Sequence, residues 1–308
     1  MITVNDTLIE LNEETEKYEA IVAQEENILK VIKENENATI SIDSEDAIEA
    51  TYLMNPKETK QIKVIVTAEN GEIKEYIVEI YRKNNDAGIE SVKLALSEAE
   101  EAENLVKQEN GTYYKKVKRN QTSVTVTLTA NDENAIASIA EAEDVSSVTD
   151  TINITDEITK VPLKITAEDG TEYSTELVIE KESNDASLKE VASTDGKVTK
   201  ENDIYTLTVD SRVEEIKLVA KPTNKNATIK LSEDTEYVSI LNGVSVDIAG
   251  KDEIIVDVLA EDKETKLSHT IKINRTFDTS IKEVKVNGED ASKENDSYKA
   301  WVDAKREV

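Results

Sequence analysis

Apolar residues along this chain recur at every second position over short stretches. From Thr122 to Ala130, Val124, Val126 and Leu128 fall on one side, and Thr125, Thr127 and Thr129 on the other. Between Glu253 and Ala260, Ile254, Val256 and Val258 stand against Ile255, Asp257 and Leu259. Tyr76, Val78 and Ile80 alternate with Ile77 and Glu79, and His269, Ile271 and Ile273 repeat that arrangement. A period of two with one polar face marks strands covered on one side, and a slip of one residue would expose the whole apolar set. Asn70-Gly71 and Asp169-Gly170 interrupt the runs with the residues that a tight hairpin turn needs, because its backbone takes positive φ. About seven strands per unit, joined by short polar turns, predict an all-β fold of Greek-key sandwiches. Residues 98–109 are the exception. Their Glu- and Ala-rich run reads as an acidic surface loop, since a helix that short is hard to sustain alone.

The pattern repeats after ninety-odd residues. Ile80-Tyr81-Arg82-Lys83-Asn84-Asn85-Asp86-Ala87-Gly88-Ile89 returns as Ile179-Glu180-Lys181-Glu182-Ser183-Asn184-Asp185-Ala186-Ser187-Leu188, and in diverged form as residues 273–281. A Tyr-x-x-x-Val strand recurs at Tyr18, Tyr113, Tyr205 and Tyr298, in phase with inward-facing positions. Strands opening in Asn-Ala begin at Asn37, Asn134 and Asn226, and late strands close in Ala68-Glu69-Asn70, Ala167-Glu168-Asp169 and Ala260-Glu261-Asp262. Independent landmarks in one phase establish tandem repetition. The boundaries that follow are 1–83, 84–182, 183–275, and a truncated start of a fourth copy at 276–308. About thirty residues cannot bury a core of their own, so this last stretch reads as part of a longer array. Linkers of about three residues restrict the angle between neighbours, and strands of seven or eight residues give each domain a length of roughly 30–40 Å. The sequence therefore predicts an elongated array.

Composition narrows the function classes. Asp and Glu total 66 against 37 Lys and Arg, for a net charge of −29. Nucleic-acid binding needs a basic footprint, and this chain has the opposite sign. The absence of cysteine excludes disulfides, thiolate nucleophiles and Cys-ligated metal sites, and the single His269 leaves no multi-histidine site. Leu, Ile, Val and Phe make up about a quarter of the chain, above the level of about 20% that signals disorder. Ile and Val far outnumber Leu, which suits a pleated surface. No stretch is long and apolar enough for membrane insertion as a helix, and residues 1–6 carry neither the basic start nor the apolar run of a signal peptide.

The repeat resembles the bacterial cadherin-like β-sandwich domain, an immunoglobulin-like module of surface and secreted proteins of Gram-positive bacteria. The residues that carry the likeness are Asp185-Ala186-Ser187-Leu188, the strand at Tyr205, the turn Ala167-Glu168-Asp169-Gly170 and the ending from Tyr76 to Arg82. The resemblance implies an extracellular, cell-surface or secreted setting beside neighbouring domains of a longer parent chain. It implies no activity for the module itself. It suggests carbohydrate as a ligand, so the partners to expect are a cell-wall or extracellular glycan or a protein.

Candidate chemistry is correspondingly thin. Cadherin arrays place calcium between domains, which draws attention to Asp86, Asp185 and Asp278. Calcium requires six to eight oxygens from several segments, and no Asp-x-Asp or Asp-Arg-Glu partner recurs in phase, so these residues read as acceptors in the turn entering the next strand. No catalytic residue and no cofactor is expected. The acids fall on polar faces and turns, where they are solvated, whereas a glycosidase needs one desolvated carboxyl in a cleft. Sugar binding would use exposed aromatic platforms, for which Tyr52, Tyr81, Tyr237 and Trp301 are the candidates. His269 occupies the place of Tyr76 and reads as a partly packed side chain. The sequence thus points to a non-catalytic stalk or adhesive spacer, with a carbohydrate-binding accessory module as the alternative.

Overall fold

The computed structural model describes residues 1–97, 99–277, 281, 283–295 and 297–300. Asp278 and Trp301 lie outside the described residues. The chain divides into two compact units, Met1–Glu182 and Ser183–Val308. The described residues form strands, turns and loops, with no helix among them.

The first unit contains two β-sandwiches. In the first, a sheet ordered Thr7–Leu8, Ile2–Val4, Glu26–Val31, Glu49–Leu53 packs on one ordered Leu11–Asn12, Lys17–Val22, Ile73–Arg82, Thr59–Thr67, Thr39–Ile42, Glu45–Asp46. Val4 and Leu29 of one sheet share a core with Ile40, Ile62, Val78 and Ile80 of the other. The second sandwich spans Ile89–Lys181, and its core joins Val92, Val126 and Leu128 to Leu163, Leu177 and Ile179. Strand Ser123–Ala130 buries every second residue, Val124, Val126, Leu128 and Ala130. Its outward threonines bond across the sheet instead, Thr127 to Thr149 at 2.9 Å and Thr129 to Ser147 at 3.2 Å. Each fully buried aliphatic side chain stabilises the fold by about 1.5–3 kcal/mol relative to exposure.

Sandwich 3 lies in the second unit. Leu188–Ser193, Glu215–Pro222 and Leu241–Asp247 form one sheet; Lys197–Glu201, Ile204–Asp210, Lys266–Thr276, Glu253–Leu259 and Thr228–Leu231 form the other. Beyond it are two short hairpins, Lys285–Val286 with Glu289–Asp290 and Ser292–Glu294 with Ser297–Lys299.

Pairing within the sandwiches is antiparallel with one recurring exception. Lys17–Val22 runs parallel to Ile73–Arg82, Tyr113–Val117 to Glu172–Lys181, and Ile204–Asp210 to Lys266–Thr276. An early strand lying parallel to the last one means that the chain enters a sandwich at one pole and leaves at the other. That topology permits serial linkage without a long return loop.

Within the acidic tract, residues 103–107 are more ordered than a plain loop. Glu103–Asn104 pairs with Ile89–Ala95, as Thr7–Leu8 pairs with Ile2–Val4, and Lys107 bridges to Tyr113. The reason is Leu105, which is buried in the second core at the place taken by Ile9 in the first.

Candidate functional site at the sandwich poles

The chemistry that repeats gathers at the pole where each sandwich is entered. Three segments meet there: the incoming linker, the Asn-Ala turn, and the Ala-Glu-Asp turn. In sandwich 2 the linker begins at Asn84, which is buried. Its N–H donates to a Glu168 carboxylate oxygen at 3.1 Å, and its carbonyl accepts the Asp169 N–H at 3.0 Å. In sandwich 3 the same two bonds run from the Ser183 N–H to Glu261 at 3.0 Å and from the Asp262 N–H to the Ser183 carbonyl at 3.1 Å. Glu261 also accepts from the side-chain amide of Asn226 at 2.6 Å. A carboxylate receiving a backbone N–H in this way satisfies a donor that burial would otherwise leave unpaired.

The first linker carries an additional charge pair. Asp132, at 2% exposure, lies against the Lys57 ammonium and the Asn84 side-chain amide, and it accepts the Asn134 N–H at 2.9 Å. Burial alone would push the Asp132 carboxyl up, but the hydrogen bonds from Lys57, Asn134 and Asn84 outweigh it and hold the group below the usual carboxylate range. Tyr81, which ends sandwich 1, donates its hydroxyl to Glu168 of sandwich 2 at 2.9 Å. Burial, then the Glu168 carboxylate, raise its phenol above the ordinary value. Lys57, Tyr81 and Asn84 therefore fasten sandwich 1 to Asp132 and Glu168 of sandwich 2 through protein groups alone. At the places corresponding to Asp132, sandwiches 1 and 3 have Asn35 and Asn224, whose side-chain oxygens cap the Asn37 and Asn226 N–H groups at 2.9 and 2.8 Å.

Of the residues weighed for calcium, Asp86 accepts the Gly88 N–H at 2.7 Å and Asp185 accepts the Ser187 N–H at 2.8 Å. Their own N–H groups bond Asn84 Oδ1 and Ser183 Oγ. These are the bonds of a turn that aims Ala87 and Ala186 into the cores they join. Among the described residues, no cluster of three or more His, Cys, Asp or Glu side chains could hold a metal ion.

The described aromatic candidates, Tyr52, Tyr81 and Tyr237, are half-buried. Tyr52 donates to Asp43 at 2.8 Å with Lys60 over its ring; burial and that carboxylate push its phenol well up. Tyr81 is committed to the first linker, and Lys230 stands over Tyr237 at 5.5 Å. Tyr52 and Tyr81 thus go to different partners. His269 is half-buried, with Nε2 2.8 Å from the Ala186 carbonyl oxygen of the linker. Tyr205, deep in the core, donates to the Leu188 carbonyl at 3.1 Å, and Tyr298 repeats the bond to Ile281 at 2.6 Å.

Glu168, Glu261 and Asp132 are the site residues that sequence reasoning did not single out. Their signal is the phase of the Ala-Glu-Asp and Asn-Ala motifs, which as sequence mark only the ends and openings of strands.

Serial all-β sandwiches, each entered and left at opposite poles, define a class of tandem repeats resembling those of cadherins. Within this chain, residues 191–276 match the model of the cadherin-like beta sandwich domain. Among solved structures, mouse cadherin-23 EC22-24 is similar over 90% of this chain and 99% of that one, at 10% identity and a TM-score of 0.31. The human desmocollin-1 ectodomain is similar over 87% of this chain and 61% of that one, at 13% identity and a TM-score of 0.26. For the protocadherin gammaB4 extracellular domain the figures are 83% and 48%, 11% identity and a TM-score of 0.27, so this chain spans about half its length. No curated protein matches the chain. Cadherin-like domains are usually extracellular and their repeats typically non-catalytic.

Proposed function

We propose that this chain is a structural and adhesive spacer of a cell-surface or secreted protein, one that holds neighbouring domains apart and carries out no catalysis. The observation that supports this most is the first linker. Lys57, Tyr81 and Asn84 spend their polar groups on Asp132 and Glu168 of the next sandwich, so the chemistry at this pole goes into joining domains and not into a cleft. The strong acidity suits the same role, because like charge keeps such a segment soluble and opposes adhesion to anionic polymers. Edge strand Tyr113–Val117 presents Lys115 and Lys116, which pair with Glu103 and Glu180 and discourage edge-to-edge aggregation.

The test is reach. A surface-anchored chain bearing a terminal biotin is compared with one lacking residues 84–182, and the capture distance to a streptavidin-coated probe is measured. The spacer reading expects a loss of one domain length, about 30–40 Å at the rise of extended strands. A capture distance indifferent to the deletion contradicts it, as does specific glycan binding that is lost on substitution of Tyr52 or Tyr237.

A further inference from the structure

The stretch after the opening strand joins a different sheet in sandwich 3 from the one it joins in sandwiches 1 and 2. Pairing fixes the correspondence. Leu11, Lys107 and Lys200 stand opposite Tyr18, Tyr113 and Tyr205, so Ile9, Leu105 and Val198, two positions earlier, are counterparts, and each packs on its own core. Ile9 and Leu105 donate their N–H groups to the carbonyls of Ile2 and Val92 at 3.1 and 2.8 Å. The residues just before them, Thr7–Leu8 and Glu103–Asn104, pair with Ile2–Val4 and Ile89–Ala95. Val198 follows Val191 at the same interval as Ile9 follows Ile2, yet its strand, Lys197–Glu201, pairs with Ile204–Asp210 and sets Lys197 opposite Thr208. Among the described residues, Leu188–Ser193 is therefore paired on one side only, with Glu215–Pro222. Val191 is half-buried where Ile2 and Val92 are buried.

Two local features account for the change. In sandwich 1 the chain doubles back through Asn5 and Asp6, at φ 52° and 61°, the left-handed pair that a tight two-residue hairpin requires. Thr194 and Asp195 take their places in sandwich 3, and neither is left-handed; the β-branched side chain makes that region costly for Thr194. The other feature is Gly196, at the position of Thr7. A Cβ on it would come within 2.6 Å of the Thr208 carbonyl oxygen and 2.5 Å of Val209 Cγ1, so only glycine lets the chain cross this close to Ile204–Asp210. In sandwich 1, where Thr7 stays beside the opening strand, Ile21 at the place of Thr208 is exposed.

We propose that sandwich 3 holds a strand with two seats. Thr194 and Gly196 set residues 196–198 on Ile204–Asp210, and the edge of Leu188–Ser193 is the second seat, taken when those two residues become their sandwich 1 counterparts. Val198 packs on the core in either seat, as Ile9 and Leu105 do, so the move displaces little more than the backbone of three residues. Ladder bonds alternate outward from the Asn202-Asp203 hairpin, which makes Lys197–Thr208 a bonded pair and turns the Val198 N–H away from Leu207. Changing seats thus gives up the Lys197–Thr208 bonds and gains one from the Val198 N–H to the Val191 carbonyl. The inference is independent of the spacer reading.

The test is the double substitution Thr194→Asn with Gly196→Thr in the full chain, followed by residue-resolved hydrogen exchange. Exchange at Val198 should slow and exchange at Thr208 should accelerate, each by about tenfold or more, while the core amide of Val256 is unchanged. The reverse exchange in sandwich 1, Asn5→Thr with Thr7→Gly, should accelerate Ile9 and slow Ile21 by about the same factor, and it reads the same claim if the first variant fails to fold. Unchanged rates at Val198 and Thr208 in the folded variant, or at Ile9 and Ile21 in the reverse one, overturn the proposal. So does acceleration at Thr208 without protection at Val198, because the added side chain would then only fray the strand.

Discussion

Replacing Glu168 by alanine removes the acceptor for two donors at once, the Asn84 N–H at 3.1 Å and the Tyr81 hydroxyl at 2.9 Å. Asn84 is buried, so its N–H is left with only what water the site admits, while half-buried Tyr81 can turn toward solvent. A hydrogen bond to a charged acceptor contributes about 1.5–3 kcal/mol, and an orphaned buried donor costs about 1–3 kcal/mol. Partial access of water to Glu168 puts the net effect toward the lower end, about 2 kcal/mol for the local closure of the linker. At 1.4 kcal/mol per factor of ten, this is an acceleration of about 30-fold in exchange of the Asn84 amide. Hydrogen exchange with residue resolution measures it directly. Glu261→Ala supplies the internal control, because it should accelerate Ser183 and leave Asn84 alone. The reasoning is refuted if Asn84 exchanges at its original rate, or if its rate rises only together with that of core amides such as Leu177.

Acid should loosen the first linker late. The Asp132 carboxyl lies below its ordinary value in the folded chain, so the stability it supplies is present above the ordinary carboxylate range and is lost as pH falls through the depressed value, below about 4. Exchange at Asn84 followed from pH 6 to pH 2 should show that loss, and Asp132→Asn should flatten it. Leu177→Ala, which hollows a fully buried site in sandwich 2, should destabilise that sandwich by about 2–5 kcal/mol in urea denaturation. Tyr205→Phe deletes only the hydroxyl that bonds the Leu188 carbonyl, and should cost sandwich 3 about 1 kcal/mol by the same assay. Millimolar calcium after chelation should leave the thermal midpoint unmoved, since a ligand binding the folded state with useful affinity would raise it.

The strands and their inward faces were legible because period two is a local property. Val124, Val126 and Leu128, or Ile254, Val256 and Val258, announce their burial within a few residues, and the structure buries them. Repetition was legible for the same reason, since each motif returns whole. What could not be read was which distant partner a polar residue finds. Glu168 looks like a hairpin residue before Gly170 until the fold brings the linker 84 residues away to its carboxylate. Tyr81 looked available for a sugar because nothing in its neighbourhood claims its hydroxyl; the claimant is that same Glu168. Leu105 hid inside an acidic tract whose composition said surface, and one buried leucine was enough to pin a short edge strand there.

The account rests on sandwiches 1 and 2 being fastened pole to pole by side chains of the chain itself. Backbone ¹⁵N relaxation of the full chain tests this most directly at the first linker. Residues 1–83 and 84–182 should fit one anisotropic rotational diffusion tensor, with Asn84 as rigid as the flanking strands and with no added metal ion. Separate, faster correlation times for the two stretches, each that of a lone domain of this size, would contradict it.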